Sequence, residues 1–132
     1  MNPYDKYQQQ MVSTMTQSEM LLKLYDETIK QIDIARNSIA QGKIDVMDKA
    51  ISKAERIIRY LRGTLDFRYP VSNNLAQLYD FFNTQLVMAS VKRDVKPIDD
   101  IRPLVVELRD TFEEASKVAR NNRTGTPMGS VV

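Results

Sequence analysis

The chain has no cysteine and no histidine. Without cysteine there is no disulfide framework, no thiol nucleophile and no thiolate metal site, and an intracellular setting is the simplest reading. Without histidine, neither imidazole acid–base catalysis nor the Glu-x-x-His ligand pairs of di-iron bundles can be built. Glycine is scarce: four in 132 residues, two of them among the last eight. The body therefore has few backbone breaks, which favours an all-α fold. No segment approaches the roughly 18 uninterrupted apolar residues of a membrane span, and the opening Met1 to Tyr7 lacks a signal peptide's apolar run. Neither stable membrane insertion nor a secretory leader is expected. Nineteen basic against seventeen acidic residues leave a net charge of +2, weak grounds for a nucleic-acid partner.

What is present is a pair of near-copies, L-L-K-L-Y-D-E-T-I-K-Q-I-D-I-A at 21–35 and L-A-Q-L-Y-D-F-F-N-T-Q-L-V-M-A at 75–89. They align without a gap, pairing Leu24 with Leu78, Tyr25 with Tyr79 and Asp26 with Asp80. Each puts its apolar positions at i, i+3 and i+4, the spacing that gathers side chains on one helix face. Two such elements separated by another predict helix hairpins, and 132 residues suffice for one domain with its own core.

In chain order, residues 1–17 form an arm in which Asn2 and Pro3 suit a helix start, with Tyr4, Tyr7 and Met11 along one side. Two readings stand open for it: a terminal turn lying on the bundle, or a movable lid over an apolar groove. Thr16, Ser18 and Glu19 have the spacing of a helix start, and Gly42 can take the left-handed conformation that stops the first helix. Asp45 is expected to cap the second helix, whose seam runs through Met47, Ala50, Ile51, Ala54, Ile57, Ile58, Leu61 and Leu65. Tyr69-Pro70 is expected to end it, because proline pushes its predecessor out of the helical region. Continued that far, the helix carries Tyr60, Thr64 and Phe67 on a flank outside the seam.

Ser72 is expected to cap the third helix. Its core stripe is Leu75, Leu78, Tyr79, Phe82, Leu86 and Ala89, with Phe81 and Met88 about 100° away and Val87 and Val91 further round. Such excess apolar surface either meets the arm or the fourth helix, or awaits a partner. The fourth helix is expected to start at Asp99 or Asp100, since that puts Pro103 in the first turn where proline is tolerated. Its face is Ile101, Leu104, Val105, Leu108, Phe112, Ala115 and Ala119. Residues 18–120 thus read as an antiparallel up-down-up-down four-helix bundle, and 121–132 as a disordered tail.

Little chemistry fits such a chain. There is no Gly-rich phosphate loop, and Asp26 and Asp80 read as surface carboxylates in local ion pairs rather than a catalytic dyad. An enzyme is not expected, nor is a cofactor or metal. Seven methionines and six tyrosines offer adaptable contact surface, although core filling accounts for several of them equally well. Together with the aromatic flanks they make helix-in-groove binding the leading physical reading.

The order N-P-Y-D-K-Y-Q-Q-Q-M-V-S-T, T-Q-S-E-M-L-L-K-L-Y-D, L-A-Q-L-Y-D-F-F-N-T-Q-L-V-M-A-S-V-K-R-D and L-R-D-T-F resembles the flagellar secretion chaperone family FliS, over residues 2 to about 119. The resemblance implies a four-helix bundle with a short N-terminal helical cap that moves to uncover part of its site. It implies a cytoplasmic chaperone that binds the disordered C-terminal segment of flagellin, prevents premature polymerisation and delivers it to the type III export gate. Helical geometry then nominates the contact residues: Tyr4, Tyr7 and Met11 as the cover, and Tyr60, Thr64, Phe67, Phe81 and Met88 as the groove wall. The free protein is expected to be a monomer or weak homodimer. The alternative is a structural or regulatory module that dimerises through the same flanks.

Overall fold

A computed structural model describes residues 17–124. They form four helices: α1 (Gln17–Gln41), α2 (Ile44–Gly63), α3 (Val71–Lys92) and α4 (Lys96–Thr124). Each helix packs on its neighbours in sequence, and α4 closes the ring against α1. The all-α bundle expected from the periodicity is the observed fold. The arm up to Thr16 and the tail from Gly125 lie outside the described residues.

The first turn follows the sequence reading. Gly42 has φ +72°, its N–H donates to the Ile39 carbonyl at 3.1 Å, and the Lys43 N–H donates to the Ser38 carbonyl at 2.8 Å. This pair of bonds satisfies two carbonyls that the helix end leaves open. A Cβ at Gly42 would meet nothing within 4 Å, so the requirement is for the left-handed backbone rather than for space.

Four boundaries differ from expectation. At the start of α2, Lys43 holds the cap position without a side-chain bond and Asp45 falls inside the first turn. The far end of α2 comes at Gly63, well before Tyr69. The Thr64 N–H reaches the Tyr60 and Leu61 carbonyls at 3.2 Å and its hydroxyl donates to the Leu61 carbonyl at 2.7 Å. Thr64 thus closes the helix itself by a local side-chain bond, next to a flexible Gly63. Ser72 likewise does not cap α3: Pro70 precedes the helix, and the Ser72 hydroxyl donates back to the Asp66 carbonyl at 2.6 Å.

The fourth difference is the largest. α4 starts at Lys96, so Pro103 sits inside it rather than in its first turn. A proline in a helix interior costs about 3 kcal/mol. The added first turn buries Ile98 completely, which contributes about 1.5–3 kcal/mol and offsets much of the proline's cost. The Asp94 side chain accepts the Lys96 N–H at 3.0 Å and so helps start the helix.

The core gathers Tyr25, Ile32 and Ala35 of α1, Ile51, Ala54, Ile58 and Leu61 of α2, Tyr79, Phe82 and Leu86 of α3, and Ile98, Ile101 and Val105 of α4. The two tyrosines of the repeated Leu-Tyr-Asp motif meet hydroxyl to hydroxyl in the middle of the bundle. Burial pushes both phenols above the ordinary tyrosine range, and the neighbouring Tyr79 raises Tyr25 further. The Tyr25 ring also stacks on Phe112 at 5.2 Å, which ties α1 to α4.

Candidate functional site

Nine large apolar side chains are exposed among the described residues, and eight of them lie on α2, the turn after it, or α3; the ninth is Val118. The apolar surplus therefore belongs to α2, its following turn and α3. Tyr60 is 54% exposed near the end of α2, Phe67 is 54% exposed in the turn, and Phe81 is 41% exposed on α3. Thr64 is exposed with its hydroxyl engaged by Leu61, and Met88 is half-buried with its sulfur 4.0 Å from the Gln85 amide nitrogen. Tyr4, Tyr7 and Met11 lie outside the described residues.

These residues do not share one groove. Tyr60 lines a groove of about 300 Å³ with Leu24 of α1 and with Lys53, Arg56 and Ile57 of its own helix. Phe81 belongs elsewhere. The Asp80 carboxylate takes Arg62 of α2 at 2.7 Å, and Asn83 approaches the Glu55 carbonyl of α2 at 3.5 Å, so these two mark the flank of α3 that meets α2. Phe81 stands about 160° round the helix from Asn83, on the flank away from α2. Its ring rests 6.4 Å from that of buried Phe82. Phe67 comes from the α2–α3 turn, not from a continued helix face.

That turn adds two residues that helical geometry could not nominate: Tyr69, 59% exposed, and Val71, 58% exposed. The signal for them was a cluster of aromatic and apolar residues next to a proline, which reads as a helix stop and so hides its own surface. The turn is held in shape by the Arg68 guanidinium on the Asp66 carboxylate at 2.6 Å, whose pull, with that of the Arg68 backbone N–H, keeps the Asp66 carboxyl below the usual range. Ser72 anchors the same segment through the Asp66 carbonyl.

The opposite seam, α1 against α4, is closed by charge. Arg36 grips Asp99 through two nitrogens at 2.7 and 3.2 Å, Arg102 grips Asp33 at 2.8 and 3.1 Å, and Arg109 reaches Asp26 at 2.7 Å. The two motif aspartates are thus ion-paired, Asp26 to α4 and Asp80 to α2, as surface carboxylates in local pairs. Among the described residues no cluster of three or more His, Cys, Asp or Glu side chains could hold a metal ion, and no helix is long and apolar enough to cross a membrane.

What remains is a helical bundle with an apolar side, and its sequence can be set beside known proteins. The profile of the family described as flagellar protein FliS matches residues 1–119. The chain belongs to the FliS family. It is similar to the flagellar secretion chaperone FliS of Bacillus subtilis (strain 168), 31% identical over 125 residues that cover 95% of this chain and 94% of the relative. It is similar also to the flagellar secretion chaperone FliS of Salmonella typhimurium (strain LT2), 25% identical over 111 residues and 82% of each chain. The FliS match includes the arm as well as the bundle.

Proposed function

We propose that this protein is a cytoplasmic export chaperone that holds the disordered C-terminal segment of flagellin, prevents its premature polymerisation and presents it to the flagellar type III export gate. The observation that carries the reading is the concentration of exposed apolar side chains on α2, its following turn and α3 in a chain whose relatives are named flagellar secretion chaperones. A disordered segment that gains helix on this side would bury apolar side chains against Tyr60, Phe67 and Phe81, which offsets its ordering entropy. Because these residues occupy separate faces, the segment would pass round the bundle rather than lie in one cleft. Residues 1–17 serve as the cover, with Tyr4, Tyr7 and Met11 as its apolar contacts, residues 18–120 as the binding bundle, and 121–132 as a tail. A binding role of this kind needs no catalytic group.

Titration with a flagellin C-terminal segment, followed by light scattering, tests the reading. The expected result is a one-to-one complex of micromolar affinity or better. A homodimer that ignores the segment would contradict it and favour a module that dimerises through its apolar flanks. Deleting residues 1–15 should leave affinity unchanged or higher; a collapse of affinity would make the arm part of the grip.

A further inference from the structure

The near-copies at 21–35 and 75–89 have a counterpart in the helices that follow them. The end of α2 reads L-R-G-T-L at 61–65, and α4 reads L-R-D-T-F at 108–112. In the same register Ile51 matches Ile98, Ala54 matches Ile101 and Ile58 matches Val105, and all six are buried. The hairpin α3–α4 therefore repeats the hairpin α1–α2. The bonds between the two are reciprocal, as across a two-fold interface. The motif tyrosines meet each other, Asp26 of the first hairpin takes Arg109 of the second, and Asp80 of the second takes Arg62 of the first.

The reciprocity then fails. Arg102–Asp33 and Arg36–Asp99 also bridge α4 to α1, but the matching positions on α2 and α3 hold Glu55 with Val87, and Ser52 with Ser90. Neither combination can form an ion pair. Glu55 turns instead to Arg59 of its own helix, Ser90 donates to Asp48 at 3.2 Å, and Val87 is exposed. Asn83 adds a cost where the first copy has Ile29. Its carbonyl oxygen is buried without a partner, and its amide nitrogen lies 3.5 Å from the Glu55 carbonyl. A buried unpaired acceptor favours any state that returns it to water.

We infer that the α2–α3 seam is an opening line built into the bundle: α3 parts from α2 as a unit while the α1–α4 seam stays closed. This is a local opening that needs less free energy than complete unfolding. The one ion pair across the seam among the described residues, Arg62–Asp80, lies in the half nearer the 64–70 turn, so the parting widens toward Asp48 and Ser90. Phe82 and Leu86 are buried on the inner face of α3. The parted seam adds them to the apolar surface already exposed on α2, its turn and α3, so the bundle can change its apolar area while its other seam holds the frame.

Hydrogen exchange of the full chain without a partner, read amide by amide by NMR and corrected for intrinsic rates, tests this. The Phe82 and Leu86 amides should exchange at least about tenfold faster than those of Ile32 and Ala35 in α1, with a weaker dependence on added denaturant. Asp80→Asn should speed α3 exchange about two- to fivefold further and leave Ile32 unchanged. Asp26→Asn, its counterpart in the stitched seam, should leave the ratio of α3 to α1 rates as in wild type. Val87→Asp/Glu55→Arg, which recreates the Asp33–Arg102 bridge, should slow Phe82 and Leu86 by about two- to fivefold. If that double variant does not fold, Asn83→Ile, which restores the residue of the first copy and removes the unpaired oxygen, should slow the same amides. Equal exchange of the α3 and α1 core amides in wild type, or the same α3 response to Asp26→Asn as to Asp80→Asn, would overturn the inference.

Discussion

The two long sides of the bundle solve the same surface problem in opposite ways. Where α1 meets α4, the rim is stitched by Arg36–Asp99, Arg102–Asp33 and Arg109–Asp26, and the only large exposed apolar side chain on either helix is Val118 among the described residues. On α2, its turn and α3, apolar side chains stand in water and one bidentate bridge, Arg62–Asp80, joins the two helices. Surface ion pairs contribute little each, about 0–1 kcal/mol, so the charged seam is not the main source of stability. Its effect is to leave little apolar surface in water, whereas α2, its turn and α3 keep several large apolar side chains exposed.

The sharpest way to break this comparison uses two neighbouring phenylalanines. Phe82 is 1% exposed and Phe81 41%. Phe82→Ala should destabilise the bundle by about 3–5 kcal/mol in denaturant melts. Phe81→Asp should melt near wild type and lose affinity for the flagellin segment; a cooperative loss of fold would move Phe81 into the core and shrink the proposed surface.

A second, smaller effect separates the shared core from both sides. The Tyr25 and Tyr79 phenols are held neutral by burial, so their folded pKa values lie above the unfolded value of about 10. Their contribution is fully present below pH 10 and is lost as pH rises further, because only the unfolded chain then ionises. Stability should therefore fall as pH rises above 10, and Tyr25→Phe/Tyr79→Phe should flatten that slope in alkaline melts. An unchanged slope would mean that the pair is not sealed in the core.

Pro103 tests what holds α4 to α1. If burial of Ile98 and the Asp94 cap carry the helix back past the proline, Pro103→Ala should raise stability by about 1–3 kcal/mol. No gain would mean that the Asp99 carbonyl, which loses its usual donor at Pro103, is already satisfied.

The ion pairs of the charged seam should give the smallest effect. Asp33→Asn should cost under about 1 kcal/mol, since both partners are more than a third exposed. The hydrogen bond from Arg36 holds the Asp99 carboxyl below its ordinary range. Its stabilisation is therefore present above the unfolded value near pH 4 and is lost as pH falls through the depressed one. Asp99→Asn should remove that part of the acid sensitivity.

The core was largely legible in the sequence because a helix announces its buried face by periodicity, and Tyr25, Ile58, Tyr79, Phe82 and Val105 all fall where the i, i+3, i+4 spacing puts them. Helix ends were less so, since they depend on local side-chain-to-backbone bonds and on tertiary partners that periodicity does not encode. Asp99 read as a cap is an ion-pair partner of Arg36, and Ser72 read as a cap binds Asp66 across a turn. The site suffered most from this. Extending α2 to Tyr69 placed Tyr60 and Phe67 on one flank, whereas the stop at Gly63 puts Tyr60 in the α1–α2 groove and Phe67 in a turn with Tyr69 and Val71. Which interhelical groove an exposed residue faces depends on the neighbour's position, and local periodicity does not encode that.

Hydrogen exchange of the protein alone and with the flagellin C-terminal segment tests the central claim most directly. New protection should appear along the second half of α2, through the 64–70 turn and along α3, with the α1–α4 seam unchanged. Protection confined to α1 and α4, or none in a complex that demonstrably forms, would contradict the assignment of the apolar side as the binding surface.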